Sequence, residues 1–233
     1  MLACESLKLQ QGDFTLEADL RFRKDVITAL IGPSGAGKST LLAAVAGFLH
    51  PSSGLIKYDD ADLVPLSPGQ RPISVLFQDN NLFPHLTISQ NVGLGLRPTL
   101  RLGPEEFVKV EEFLDHVGLA GMGNRKPAEL SGGQQSRAAL ARVLLADRPV
   151  ILLDEPFAAL GPGLKIEMLD LMREVFAGGG KTIVMVTHDP ADAQRVADET
   201  AFVSEGHVQA PVSTRQLFEM PPPELATYLG QVS

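Results

Sequence analysis

Three short stretches of this chain combine residue types at spacings that could handle phosphate. Gly32-Pro33-Ser34-Gly35-Ala36-Gly37-Lys38-Ser39-Thr40 matches the pattern G-x-x-x-x-G-K-[ST]. Its glycines let the backbone curl so that successive N–H groups converge on phosphate oxygens, and a helix starting here adds its positive N-terminal end. Lys38 would then reach the β- and γ-phosphates of a bound nucleotide, the Ser39 hydroxyl would bind Mg²⁺, and Thr40 would assist at the α-phosphate. The competing reading is a Gly-rich turn, but the apolar run before the loop and the helical pattern after it are what the phosphate motif requires.

The second stretch is Asp154-Glu155, at the end of the apolar run Val150-Ile151-Leu152-Leu153. Parallel sheets bind ligands at the edge where their strands emerge. Asp154 is therefore placed to hold Mg²⁺, directly or through water. Glu155 could accept a proton from an attacking water, because a carboxylate in a dry site facing phosphate gains proton affinity. The third stretch, Leu130-Ser131-Gly132-Gly133-Gln134, opens a helical run through Ala138, Ala141, Leu144 and Leu145. With Ser131 as the N-cap, the two glycines make a second anion cradle that lacks a lysine. Taken alone it could equally be an idle turn.

The elements that must carry these stretches follow from periodicity. Leu7-Lys8-Leu9, then Phe14, Leu16, Ala18, Leu20 and Phe22 in alternation, read as strands of an edge sheet, with Phe14 expected to face the core. Val26 to Ile31 is a continuous apolar run that predicts a buried central strand ending at Gly32. Lys38 to Phe48 predicts the helix after it. Pro51 to Pro72 reads as a hairpin region around Leu55-Ile56, and Ile73 to Phe77 as another buried strand. Between Thr87 and Ala146 the period becomes helical, with Phe107, Val110, Leu114 and Val117 on one face and Pro104 in a first turn. Strands return at 150–153 and 182–186. Between them a helix carries the stripe Leu164, Met168, Leu171 and Val175 and stops at Gly178. Asp189-Pro190 supplies a cap and first-turn proline for a helix through Val196. Alternating strands and helices predict an α/β fold with a mainly parallel sheet covered on both faces.

Composition narrows the function classes. The 233 residues are 44% hydrophobic and 21% charged, which suits a globular chain and excludes a mostly disordered one. Lys+Arg 20 against Asp+Glu 28 gives −8, so the whole molecule would repel a phosphate backbone and no nucleic-acid partner is expected. A single cysteine, Cys4, has no partner for an intramolecular disulfide, and a reducing compartment fits. No signal peptide is expected, and the apolar stretch Leu41 to Leu49 is too short to span a bilayer. Service to a membrane would run through a partner.

In this order, the phosphate loop, the 130–134 segment and the acid pair resemble the nucleotide-binding subunits of ATP-binding cassette (ABC) transporters over essentially the whole chain. The resemblance implies a P-loop NTPase of ABC type, with a mainly parallel core, an antiparallel β subdomain and an inserted helical subdomain. Residues 1–86 and 147–233 would form the nucleotide-binding core with its β subdomain, and 87–146 the helical subdomain. It further implies ATP and Mg²⁺ as ligands, and two cassettes in a head-to-tail homodimer. Each cassette would present Ser131, Gly132, Gly133 and Gln134 to the nucleotide on its partner's Lys38. An isolated chain would be a poor ATPase. Gln78 matches the Q-loop glutamine, which meets Mg²⁺ or the attacking water beside the groove for a transmembrane permease subunit. His188 matches the switch histidine at the γ-phosphate, whereas His50, His85, His116 and His207 carry no such match. The expected location is peripheral, on the cytoplasmic face of the inner (plasma) membrane, with a periplasmic substrate-binding protein reached through the permease.

Departures from the family pattern also matter. Gln11 stands where an aromatic usually stacks on adenine, and Gly161 stands where the family has an aspartate that crosses the dimer interface, so weaker coupling between the two ATP sites is expected. Gln135-Ser136-Arg137 is a minor departure. The segment 71–87, continuing through 91–96, is very similar to the ATP-binding subunits of bacterial thiamine importers, which also end soon after the switch histidine. Ferric iron importers share Leu82-Phe83-Pro84-His85-Leu86-Thr87 and are the nearest alternative. A non-hydrolysing regulatory switch is the alternative of another class. A chromosome-handling ATPase would need a long coiled-coil insert, and a kinase or GTPase has no use for the 130–134 segment.

Overall fold

A computed structural model describes residues 1–230. The strands and helices run, in chain order, β1 (Leu2–Gln11), β2 (Phe14–Phe22), β3 (Val26–Ile31), α1 (Lys38–Ala46), β4 (Ser53–Tyr58), β5 (Ala61–Asp62) and β6 (Ile73–Leu76). Next come α2 (Ile88–Gly93), α3 (Pro104–His116), α4 (Gly132–Leu145), β7 (Val150–Asp154), α5 (Pro162–Phe176) and β8 (Thr182–Val186). The remainder is α6 (Pro190–Val196), β9 (Glu199–Ser204), β10 (His207–Val208), β11 (Val212–Ser213), α7 (Thr214–Glu219) and α8 (Pro223–Tyr228). By internal packing the chain forms two compact units. Of the described residues, the first holds 1–73, 149–155 and 178–230, and the second holds 74–148 and 156–177.

The sheet runs β5-β4-β1-β2-β10-β9-β3-β8-β7-β6. Its centre is parallel: β3 pairs with β8 and β9, and β7 pairs with β8, all in the same direction. These strands are saturated with Val, Ile and Leu because both faces are covered; every residue of β8 is buried, as is every residue of β3 after Val26. The wing formed by β1, β2, β4 and β5 is antiparallel. There β2 alternates as its sequence predicts, with Leu16, Ala18, Leu20 and Phe22 buried. β10 joins wing to centre by pairing parallel to β2 and antiparallel to β9. β6 is an edge strand, and its burial alternates instead of being continuous as its apolar run suggests.

Helix α1 stops at Ala46 because Gly47 takes a left-handed backbone (φ 92°) whose N–H returns to the Ala43 and Ala44 carbonyls. A second device fixes this end. The Arg71 side chain, 1% exposed, donates from Nη1 to the carbonyls of Ala44 and Val45 (2.7 Å each) and from Nε to that of Leu66 (3.1 Å). A guanidinium at a helix C-terminus meets the negative end of the macrodipole. Burial pulls its pKa below the usual arginine range, opposed by the charge of Asp62. A Cβ on Gly47 would stand 2.7 Å from Arg71 Nε, so the glycine also makes room for that side chain.

The second unit is helical. In α3, Pro104 opens the helix as expected, and Val110 and Leu114 are buried with Val117 beyond its end. Phe107, expected on that face, is 49% exposed; it occupies the first turn, at the margin of the apolar stripe. In α5 the buried face is Met168, Leu169, Met172 and Phe176. The expected positions Leu164, Leu171 and Val175 are only half-buried, so the stripe is rotated by about one residue from the expected one.

Replacing Arg71 by Ala would strip partners from buried carbonyls and open a cavity. A loss of about 2–4 kcal/mol is expected, read as a thermal midpoint lower by roughly 5–15 °C. An unchanged midpoint would remove this residue from the account of how α1 is anchored.

Candidate active site

In the first unit, the phosphate loop runs from the end of β3 to the start of α1. Gly37 is the N-cap of α1 in a left-handed conformation (φ 105°), and no side chain caps the helix. The first-turn N–H groups of α1 are thus directed to whatever anion the loop holds. A Cβ at Gly37 would run into Leu16 and come within 2.9 Å of Phe14 Cζ, so β2 presses against the loop at a point where only glycine fits.

Lys38 is 6% exposed, with Nζ donating to the Gly32 carbonyl (2.7 Å) and the Pro33 carbonyl (2.9 Å). Burial lowers its pKa, and the charges of Glu155 and Asp154 oppose that shift. Its ammonium is therefore poorly hydrated and responsive to negative charge, as a phosphate ligand should be. The Ser39 hydroxyl donates to Asp154 Oδ1 at 2.9 Å. Burial, reinforced by the neighbouring Glu155 charge, raises the Asp154 pKa above the usual carboxylate range, with the Ser39 bond and Lys38 pulling it back. A hydroxyl and a carboxylate under-served by positive charge form a hard-oxygen donor set that suits Mg²⁺.

Glu155 follows β7 with φ 45°, a left-handed backbone in a non-glycine residue, held by its N–H donating to the Val186 carbonyl at 3.1 Å. That conformation costs on the order of 1 kcal/mol or more and recurs at functional sites. Its carboxylate Oε2 lies 2.9 Å from His188 Nδ1. Glu155 is mostly covered while the imidazole is 58% exposed, so the histidine is the outer member of the pair. The loop, Glu155 and His188 line one cleft of about 670 Å³. Gln11 and Phe14 line it too. The expectation that Phe14 faces the core is thus corrected: it is half-buried, because it begins β2 beside the glycine loop.

The second unit carries the other named segments. Ser131 is the N-cap of α4: its hydroxyl accepts from the Gln134 N–H (3.3 Å), and Gln134 Oε1 accepts in return from the Ser131 N–H (3.0 Å). Gly132 has room for a methyl group. Gly133 does not, because a Cβ there would overlap the Leu164 side chain of α5. Gln78 is exposed, two residues past β6. The loop after it is clamped by Arg142 of α4, which donates to the Asn80 and Asn81 carbonyls (2.8 Å each), and by Asn80 Nδ2 donating to Ser136 Oγ (3.1 Å). Sequence reading missed Arg142 and Asn80; the available signal was the pair of consecutive asparagines, a residue type that tolerates the left-handed backbone which both adopt in the structure. Gly161, the N-cap of α5, has an ordinary φ of −62° and open space at its Cβ position. An aspartate would be accommodated.

A strand, glycine loop and helix cradling a buried lysine, with an acid pair at the end of the strand two places along the sheet, define a nucleotide-binding P-loop protein. The comparisons with known proteins make this specific: the chain belongs to the ABC transporter family, whose model matches residues 16–158. A protein of Cereibacter sphaeroides named thiamine import ATP-binding protein ThiQ is 56% identical over 230 residues, covering 99% of this chain and 100% of its own. One of the same name from Vibrio cholerae is 46% identical over 232 residues, 99% and 97% of the two chains. Among solved structures, the ATP-binding cassette MJ0796, a dimer in a post-hydrolysis state bound to ADP and Pi, superposes with a TM-score of 0.79 at 30% identity. That match covers 92% of this chain and 99% of the cassette. Among the described residues no helix is long and apolar enough to cross a membrane.

Asp154 also makes a pH prediction. Because its folded pKa is raised, its favourable contribution is present in acid and is lost as pH rises through that value; at neutral pH the ionised group is a liability. Asp154→Asn, in which the Ser39 bond survives, should raise the thermal midpoint of the nucleotide-free, Mg²⁺-free chain by roughly 2–4 °C at pH 7, with a smaller gain at pH 4. It should also weaken Mg·ATP binding. An equal or lower midpoint at pH 7 would contradict the desolvated carboxylate.

Proposed function

We propose that this chain is the ATP-hydrolysing motor subunit of an ABC importer whose cargo is thiamine or its phosphates. The observation that carries the reading is the 2.9 Å contact between Glu155 and His188 at the cleft of the phosphate loop. The cargo assignment is supported by the full-length similarity to proteins named for thiamine import.

Nucleotide phosphates bind against the α1 N-terminus, with Lys38 leaving the loop carbonyls for the β- and γ-oxygens. Ser39 and Asp154 would hold Mg²⁺, which when bound would neutralise phosphate charge. Glu155 orients a water and accepts its proton, and His188 touches the γ-phosphate while its Nδ1 keeps Glu155 in place. Ser131, Gly132, Gly133 and Gln134 contact the nucleotide of a second copy, so that two chains close around two nucleotides. Residues 87–146 serve as the helical subdomain that carries this segment. The surface from Gln78 to Leu86 passes the closure to transmembrane permease subunits, which receive cargo from a periplasmic substrate-binding protein. The chain works at the cytoplasmic face of the membrane.

With permease subunits in vesicles, wild-type chain should hydrolyse ATP and drive thiamine uptake. Glu155→Gln should lose turnover by at least about 100-fold while still binding ATP, and Lys38→Ala should lose binding. Wild-type binding without turnover would favour the regulatory switch. ATP-driven uptake of ferric iron, with none of thiamine, would move the cargo to the alternative.

Gly161→Asp should strengthen cooperativity between the two nucleotide sites and, as a better N-cap, add a few tenths of a kcal/mol to stability. Unchanged ATPase cooperativity and rate would count against any coupling role for this position.

A further inference from the structure

The turn that carries His188 is fixed on both sides. The Thr187 N–H donates to the Leu30 carbonyl of β3 (3.2 Å), the Thr187 hydroxyl donates to Asp192 Oδ2 (2.8 Å), and the Asp189 N–H donates back to that hydroxyl (3.1 Å). The peptide carbonyl of His188 itself accepts from another part of the chain: the phenol of Tyr228, the last residue of α8, donates to it at 2.7 Å. A phenol hydroxyl at that distance is a well-formed hydrogen bond.

Tyr228 is itself well supported. α8 is seated by Leu225, which is fully buried, and the Tyr228 ring packs against that of Phe202, with centroids 5.9 Å apart and planes at 49°. Phe202 is 1% exposed on β9 and pairs with Ile31, the residue before Gly32. The ring thus rests on the strand beside the phosphate loop, and the hydroxyl reaches the turn of the histidine. The His188 side chain is 58% exposed, so packing does little to fix its imidazole; its place is set by the backbone it hangs from and by Glu155. A carbonyl held at one point restricts the ψ of His188 and hence where the imidazole can stand.

We propose that Tyr228 is a positioning residue for the hydrolytic site: its hydroxyl, through the His188 carbonyl, sets the imidazole against Glu155. This rests on the reading above in which His188 serves the γ-phosphate. The hydroxyl is spent on a backbone carbonyl and Tyr228 does not line the cleft, so its loss should lower the fraction of the site in working geometry without removing a ligand for ATP.

The test uses the full chain assembled with its permease subunits and compares Tyr228→Phe, His188→Ala and the double variant. Tyr228→Phe keeps the ring on Phe202 and removes only the hydroxyl. It should lower kcat about three- to tenfold, the worth of one hydrogen bond, while KM for ATP changes less than about twofold. In the His188→Ala background the same change should have no further effect, since the group it positions is gone. Tyr228→Ala should additionally lower the thermal midpoint through lost packing, separating ring from hydroxyl. Wild-type kcat in Tyr228→Phe, with His188→Ala crippled, would overturn this inference and leave the site reading intact. The same fold-loss in both backgrounds would also overturn it, because the hydroxyl would then act elsewhere. Wild-type turnover in His188→Ala would overturn the site reading and this inference with it.

Discussion

The arrangement of this molecule depends on the register of three parallel strands. β8 lies between β3 and β7, and one row of the sheet holds Leu30, Val186 and Asp154 side by side. Each strand ends within a residue of that row. β3 runs into Gly32 and the phosphate loop, β8 into Thr187 and His188, and β7 delivers Asp154 and then Glu155. A slip of one residue in any pairing would turn a strand's side chains over and move its terminus by about 3.3 Å, more than the length of the hydrogen bonds that assemble the site. The continuous burial of these strands is what makes such a slip costly, so the hydrophobic core and the chemistry share one cause.

Charge is arranged around that edge with deliberate shortage. Lys38 is desolvated and bonded to neutral carbonyls, while Asp154, held by a neutral hydroxyl, has a proton affinity above the ordinary. Neither is fully served by its neighbours. A ligand carrying phosphate charge together with a divalent cation would answer both, and a folded protein that leaves these groups partly unmet keeps free energy available for binding.

Much of this was legible in the residues themselves. The phosphate loop, the acid pair, the Ser131 cap and the Asp189-Pro190 helix start lie within a few positions of one another in sequence and are governed by local geometry, so spacing alone reveals them. Burial was harder to read. The buried face of α5 is rotated by about one residue and that of α3 leaves out Phe107 in its first turn, because sequence period fixes a stripe's repeat more firmly than its rotation or its ends. Phe14 was misplaced because strand alternation says which face a side chain takes but not that a glycine loop passes beside it. No pattern assigns Arg71, Arg142 or Tyr228 its partner. Each bonds backbone carbonyls, which every residue possesses, at separations of 5 to 62 positions.

Glu155 sits in a backbone conformation that glycine or asparagine would occupy more comfortably. Drift toward either would relax the main chain while removing the carboxylate to which the proposed mechanism gives the attacking water, so variants broken at this residue would not be weeded out by misfolding. They would persist as well-folded impostors, and only selection on the work performed, never quality control on the fold, could remove them.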